Sequence, residues 1–160
     1  ELGQEPDRYY NARLLDGVSF TNLVRNADTF DLSFFCPDPF AYAIQDEEFI
    51  LKASGDIKRT LGNVESHPVY EIRGNMADSS QEVKFLVNGE SVTLCGPLSE
   101  SDVLVIDTDD MTVKIGTENA LGQMKELNFP YLKAGINTIT FSESTGTLAS
   151  VCVKAKSRWL

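Results

Sequence analysis

The sequence predicts an all-β protein, an antiparallel β-meander or jelly-roll of short strands from about Val69 to Lys156. Apolar residues recur with period two along most of the chain, which puts one face of each segment on a core and the other toward water. Turn-forming residues separate these segments at hairpin spacing. Helical spacing is almost absent.

Taken in order, Tyr9–Leu15 and Thr29–Cys36 are the first strand-like segments, the second carrying Phe30, Leu32 and Phe34 in alternation with Asp31 and Ser33. Pro37-Asp38-Pro39 ends this region, and a division is expected near residue 40. Within 44–53, Phe49-Ile50-Leu51 favours a strand over a short helix. Val83, Phe85 and Val87 alternate with Lys84 and Leu86, and Val92 with Leu94 continues the pattern after Asn88-Gly89. An Asn-Gly pair supplies the two positive-φ positions of a type I′ turn, so this is the clearest hairpin in the chain. Thr108-Asp109-Asp110 is expected to turn Val103–Asp107 into a strand of Met111, Val113 and Ile115. Around 120–128, Leu121, Met124 and Leu127 have helical spacing, but Gly122 limits a helix to one or two turns. Ile139 with Phe141, and Val151 with Val153 and Ala155, mark the last two strands, linked by Ser144–Gly146.

The composition fits such a fold. The 160 residues are 42% hydrophobic, with a mean hydropathy of -0.17, and a chain of this size buries about 70% of its unfolded surface without staples. The net charge of -10, from 24 acidic against 14 basic side chains, argues against non-specific binding to nucleic acid, which needs a cationic footprint. It argues equally against an anionic membrane surface. No run approaches the roughly 18 apolar residues of a membrane span, so no membrane insertion is expected. Cys36, Cys95 and Cys152 are widely spaced and odd in number; they are expected to be unpaired, buried as small hydrophobes, and folded in a reducing cytoplasm.

Residues that could carry chemistry are few, and no enzyme is expected. The single histidine, His67, lies between Ser66 and Pro68 in a strand-entry loop, away from any marked nucleophile. Asp107, Asp109 and Asp110 have calcium-like spacing, but position six of an EF-hand loop would be Thr112 in place of the required glycine. A hairpin turn is the expectation there, with no metal and no cofactor. Tyr9, Tyr10, Tyr42, Tyr70 and Tyr131 are scattered, and core packing or a tail contact is the default for each. Lys154, Lys156, Arg158 and Trp159 form a basic and aromatic end on an acidic chain, a candidate docking tail.

Several stretches together resemble one family. Residues 30–42, FDLSFFCPDPFAY, look like the strand and "DPFAY" corner of siphovirus distal tail (Dit) proteins. Gly62-Asn63 through Ser66, Pro68, Ile72 and Gly74 is similar to that family's "G-N-x-x-S-x-P-x-x-x-I-x-G" pattern. Val87-Asn88-Gly89-Glu90 and the pair 102–107 and 111–115 resemble its hairpins, and Leu132, Gly135, Asn137 and Ile139 its "L-x-x-G-x-N-x-I" strand. Arg158-Trp159 closes the chain in the same manner.

The resemblance covers most of residues 7–160 and implies a galectin-like β-sandwich over 41–160. It implies that residues 1–40 are closing strands of an N-terminal ring-forming domain, hexameric in the full-length family member. The opening Glu1-Leu2-Gly3 is not a natural start and reads as that of a fragment. The implied function is a structural hub at the virion tail tip, assembled in the host bacterial cytoplasm, that joins the tail tube to tail-associated, receptor-binding or baseplate proteins. Phe30, Leu32 and Phe34 are then the apolar face of a self-association edge. The alternative is a carbohydrate-binding sandwich contacting host cell-wall sugars. An exposed tyrosine pair with convergent Asn or Asp would favour sugar, and a flat charged face would favour the hub.

Overall fold

A computed structural model describes residues 5–15, 32–142 and 144–160. In chain order the strands are β1 (Arg8–Tyr10), β2 (Arg13–Leu14), β3 (Phe34–Phe35), β4 (Ala41–Ala43), β5 (Glu48–Leu51), β6 (Gly55–Arg59), β7 (Val69–Asn75) and β8 (Glu82–Val87). They continue with β9 (Glu90–Cys95), β10 (Leu104–Asp107), β11 (Thr112–Ile115), β12 (Glu118–Asn119), β13 (Gly135–Phe141), β14 (Thr147–Lys154) and β15 (Arg158–Trp159). All pairings among the described residues are antiparallel. A six-stranded sheet runs β12-β11-β10-β7-β14-β5 and faces a four-stranded sheet, β6-β13-β8-β9.

The period-two pattern explains how the two sheets meet. Val83, Phe85 and Val87 of β8 and Val92 and Leu94 of β9 are fully buried, as are Tyr70, Ile72, Leu104, Ile106, Val151 and Val153 of the facing sheet. Tyr70 and Phe85 touch across the interlayer with ring centroids 5.9 Å apart, and the Tyr70 hydroxyl donates to the Pro130 carbonyl at 3.0 Å. Each such side chain contributes on the order of 1.5–3 kcal/mol by leaving water. The Asn88-Gly89 hairpin forms as expected, with φ of 52° and 90°. The helical spacing around 120–128 becomes a single 3-10 turn, Leu121–Gln123. The chain after that turn lies along the free edge of β9: Lys125 N–H donates to Thr93 O at 3.0 Å and the Asn128 amide to Ser91 O at 3.0 Å. An otherwise bare sheet edge is thereby covered.

Four sequence expectations need correction. A simple meander is excluded, because Ser144–Gly146 carries the chain from β13 in one sheet to β14 in the other. Met111 belongs to the turn, with φ of 52° and 63% exposure; β11 begins at Thr112 because the Asp107 carboxylate holds the Asp109 and Asp110 amides in a longer turn. Tyr9–Leu15 is two short strands, since Arg8–Tyr10 pairs with β4 while Arg13–Leu14 turns away to pair with β3. The cysteines are unpaired, but only Cys152 is buried, and Cys36 is exposed where it follows the exposed strand β3. Phe30 lies outside the described residues; Leu32 and Phe34 are 42% and 55% exposed.

Candidate functional site

The distinctive region lies where residues 5–11 and the last residues of the chain meet on β4. Strand β4 is the centre of a three-stranded sheet, with β1 on one side and β15 on the other. Its register sets Tyr9 opposite Tyr42 and Arg158 opposite the same tyrosine. Tyr9 and Tyr42 stack with centroids 5.6 Å apart. The Arg8 guanidinium lies 4.1 Å over the Trp159 ring and that of Arg158 4.2 Å over Phe40, each a cation–π contact.

The residues quoted in the family-like motifs fasten this sheet to the sandwich. Asn63 brackets the last residues: its N–H donates to Arg158 O at 3.2 Å, and its side-chain oxygen accepts from Leu160 N–H at 3.0 Å. Gly62 has φ of 82°, and a Cβ there would stand 2.7 Å from Arg158 O, so both conformation and approach call for glycine. Ser66, fully buried, donates to Ala155 O at 2.5 Å. Asp46 accepts the Ser157 N–H at 2.7 Å. Arg59 is 3% exposed and donates to the carbonyls of Leu132 and Lys133 at 3.1 and 3.0 Å. Burial lowers its pKa, opposed by the nearby Asp46 and Glu47 charges. Burial raises the pKa of Glu47, yet the Thr60 hydroxyl and the Thr60 and Leu61 amides outweigh it and hold the group below its ordinary value.

Between the junction sheet and the sandwich loops an open polar cleft of about 310 Å³ is walled by Tyr9, Asn11, Asp38, Tyr42, His67 and Asp107, with Asp109, Asp110, Lys156 and Arg158 completing it. The Tyr42 hydroxyl donates to Asp38 Oδ2 at 2.6 Å, and Phe40 N–H to Asp38 Oδ1 at 3.1 Å. The Tyr42 bond is the main cause that lowers the Asp38 pKa, with the Phe40 amide and the Arg158 charge adding to it. Burial and the same Asp38 bond raise that of Tyr42. Neither serine nor cysteine is among the residues that wall this cleft; Ser66, next to His67 in the chain, is buried and donates to Ala155 O. In the acidic turn the Asp107 carboxylate is spent on the Asp109 and Asp110 amides, and no metal-holding cluster occurs among the described residues.

The four residues of the expected docking tail have separate positions. Lys154 pairs with Glu71 at 2.5 Å on the outer face of the large sheet, whereas Lys156 and Arg158 line the cleft and Trp159 packs under Arg8. Sequence reasoning passed over Tyr9, Asn11, Asp38 and Tyr42 as a group. Only the register of β1 on β4 joins them, and three-residue strands carry no periodic signal.

The family described as siphovirus-type tail component, C-terminal domain, matches residues 61–159. The chain belongs to that family. Among solved structures, it is similar to the crystal structure of SPP1 Dit, described as a paradigm of the hub adsorption apparatus in phages infecting Gram-positive hosts. The identity is 15% and the TM-score 0.67, over 99% of this chain and 63% of that one, so the chain spans less than two thirds of SPP1 Dit. No curated protein matches. For a tail component of this family, the match takes in the Gly62-Asn63 clamp and the Arg158–Trp159 strand that it holds.

Proposed function

We propose that this tail component is the structural hub of a phage or prophage tail tip, connecting the tail tube to receptor-binding or baseplate proteins. The observation that carries the reading is the β2–β3 ribbon. Leu14, Leu15, Leu32, Phe34 and Phe35 are all 42–61% exposed there, and a two-stranded ribbon is marginal alone in water. Such a surface fits a contact with other tail subunits. In this reading residues 1–40 are closing strands of a ring-forming domain, hexameric in the full-length protein, and residues 41–160 are the outward sandwich. In the same reading Lys156, Arg158 and Trp159, at the junction sheet, take part in the contact with the neighbouring protein, and Lys154, paired with Glu71 on the large sheet, stands apart from them. The protein works by holding partners, without catalysis, and is assembled in the host cytoplasm. Immunogold electron microscopy of virions with antibody against this chain is expected to label the tail tip. Label along the tube or on the capsid, or virions without label, would overturn the proposal.

A second reading, binding of cell-wall saccharide, is favoured by one observation, the half-exposed Tyr9 stacked on Tyr42 beside Asn11 and Asp38.

A further inference from the structure

We infer that the cleft between the junction sheet and the sandwich loops is a binding site for a neutral pyranose unit of a glycan. The inference rests on the saccharide reading just given and is independent of the hub reading. Tyr9 is 48% exposed with one ring face backed by Tyr42, which leaves the other face for the C–H side of a sugar ring. Asp38 is occupied by Tyr42 and Phe40 and acts as the brace that fixes the aromatic pair. Asp109 and Asp110 differ. Their backbone amides are engaged by Asp107, but no hydrogen bond among the described residues engages their carboxylates, and both line the cleft. The Asp109 and Asp110 carboxylates and the Lys156 ammonium, all in the cleft walls, supply acceptors and donors in the mixture that vicinal hydroxyls require. The volume of about 310 Å³ lies at the lower end for small-molecule sites, a size suited to one or two sugar units.

Charge selects among glycans. Asp38, Asp107, Asp109 and Asp110 outnumber Lys156 and Arg158 in the walls, and the whole chain carries -10. A phosphate- or carboxylate-bearing polymer would be repelled, whereas a neutral hexose would not.

The test is a titration of the full chain, followed by amide NMR, with methyl α-glucopyranoside, methyl β-galactopyranoside and methyl N-acetyl-β-glucosaminide, and with glycerol 3-phosphate as the anionic counterpart. At least one neutral glycoside is expected to shift Tyr9, Asn11, His67 and Asp109 with a dissociation constant on the order of 1 mM, and glycerol 3-phosphate is expected to leave them unmoved. Tyr9→Ala should weaken binding about tenfold, the loss of an aromatic contact. Should that variant lose the junction sheet, Asp109→Ala on the exposed turn serves in its place, again with weaker binding expected. Absence of shifts with all three glycosides, shifts centred elsewhere, tighter binding of glycerol 3-phosphate, or an unchanged affinity in the folded variant would each overturn the inference. Virion labelling at the tail tip would stand in any of these cases, so the two readings fail separately.

Discussion

Asn137 shows what a single motif residue does in this family member. It is fully buried, and its oxygen accepts from Lys133 N–H at 2.8 Å and from the Asn88 side chain at 2.9 Å, while its nitrogen donates to Lys133 O at 2.9 Å. One side chain thus satisfies the loop before β13 and ties it to the Asn88-Gly89 hairpin, as buried amides must. The cysteines make the residue scale testable. Burial, then the hydrogen bond to Glu48, pushes the Cys152 thiol up to about 12, and only a thiolate reacts with a disulfide reagent. Near pH 8.5, the ordinary thiol value, exposed Cys36 is expected to react with Ellman's reagent in the native state and Cys152 only after unfolding. Peptide mapping that finds Cys152 modified as fast as Cys36 would refute this. The sign for stability follows from proton counts. An unfolded thiol loses its proton near 9 and the folded one near 12, so this contribution is complete below pH 9 and fades as pH rises through that window.

At the scale of elements, β7 and β14 are hydrogen-bonded neighbours in the large sheet, and their contact depends on Gly74. The register slips between Leu148 and Ser150 of β14, and a Cβ on Gly74 would stand 2.4 Å from Thr147 O. That neighbour is backbone and cannot rotate away. Gly74→Ala is therefore expected to cost about 3 kcal/mol, at the upper end of overpacking effects. Gly89→Ala, with φ of 90° but open space around it, should cost about 1 kcal/mol of backbone strain. Urea unfolding midpoints decide the order, and a Gly74→Ala loss no larger than that of Gly89→Ala would refute it. The strands of the sandwich were legible because Val83-Lys84-Phe85-Leu86-Val87 alternates over its full length and Asn88-Gly89 ends it unambiguously. The bulge was not, because Leu148-Ala149-Ser150 has no property that distinguishes an extra residue from a regular pleat. Met111 was misplaced for a related reason: an apolar residue continued the period while the Asp107 carboxylate, at the end of β10, decided the turn.

On the scale of the whole molecule, the sandwich has a closed core, to which none of the described residues before 41 contributes. Phe34 lies opposite Leu14, and Phe35 opposite Arg13, so both faces of the ribbon carry an aromatic ring and neither is covered among the described residues. The expectation of an apolar edge at Phe30, Leu32 and Phe34 came from alternation alone; the structure adds Phe35 and Leu14, which no period-two reading of one strand could supply. Burying three such side chains from each of two copies would contribute on the order of 10 kcal/mol, and the entropy of association subtracts from it, so the pairing is weak and concentration-dependent. We therefore expect this chain to pair with a second copy through the ribbon rather than close a stable hexamer, since a ring needs a domain with its own core behind each contact. In light scattering across a concentration series, the mass should rise from that of one chain toward twice that value. Phe34→Ser combined with Phe35→Ser should flatten the rise without changing the unfolding midpoint of the sandwich, whose core these residues do not enter. A sixfold mass independent of concentration would defeat the expectation. A rise that persists in the double variant would move the contact to another surface.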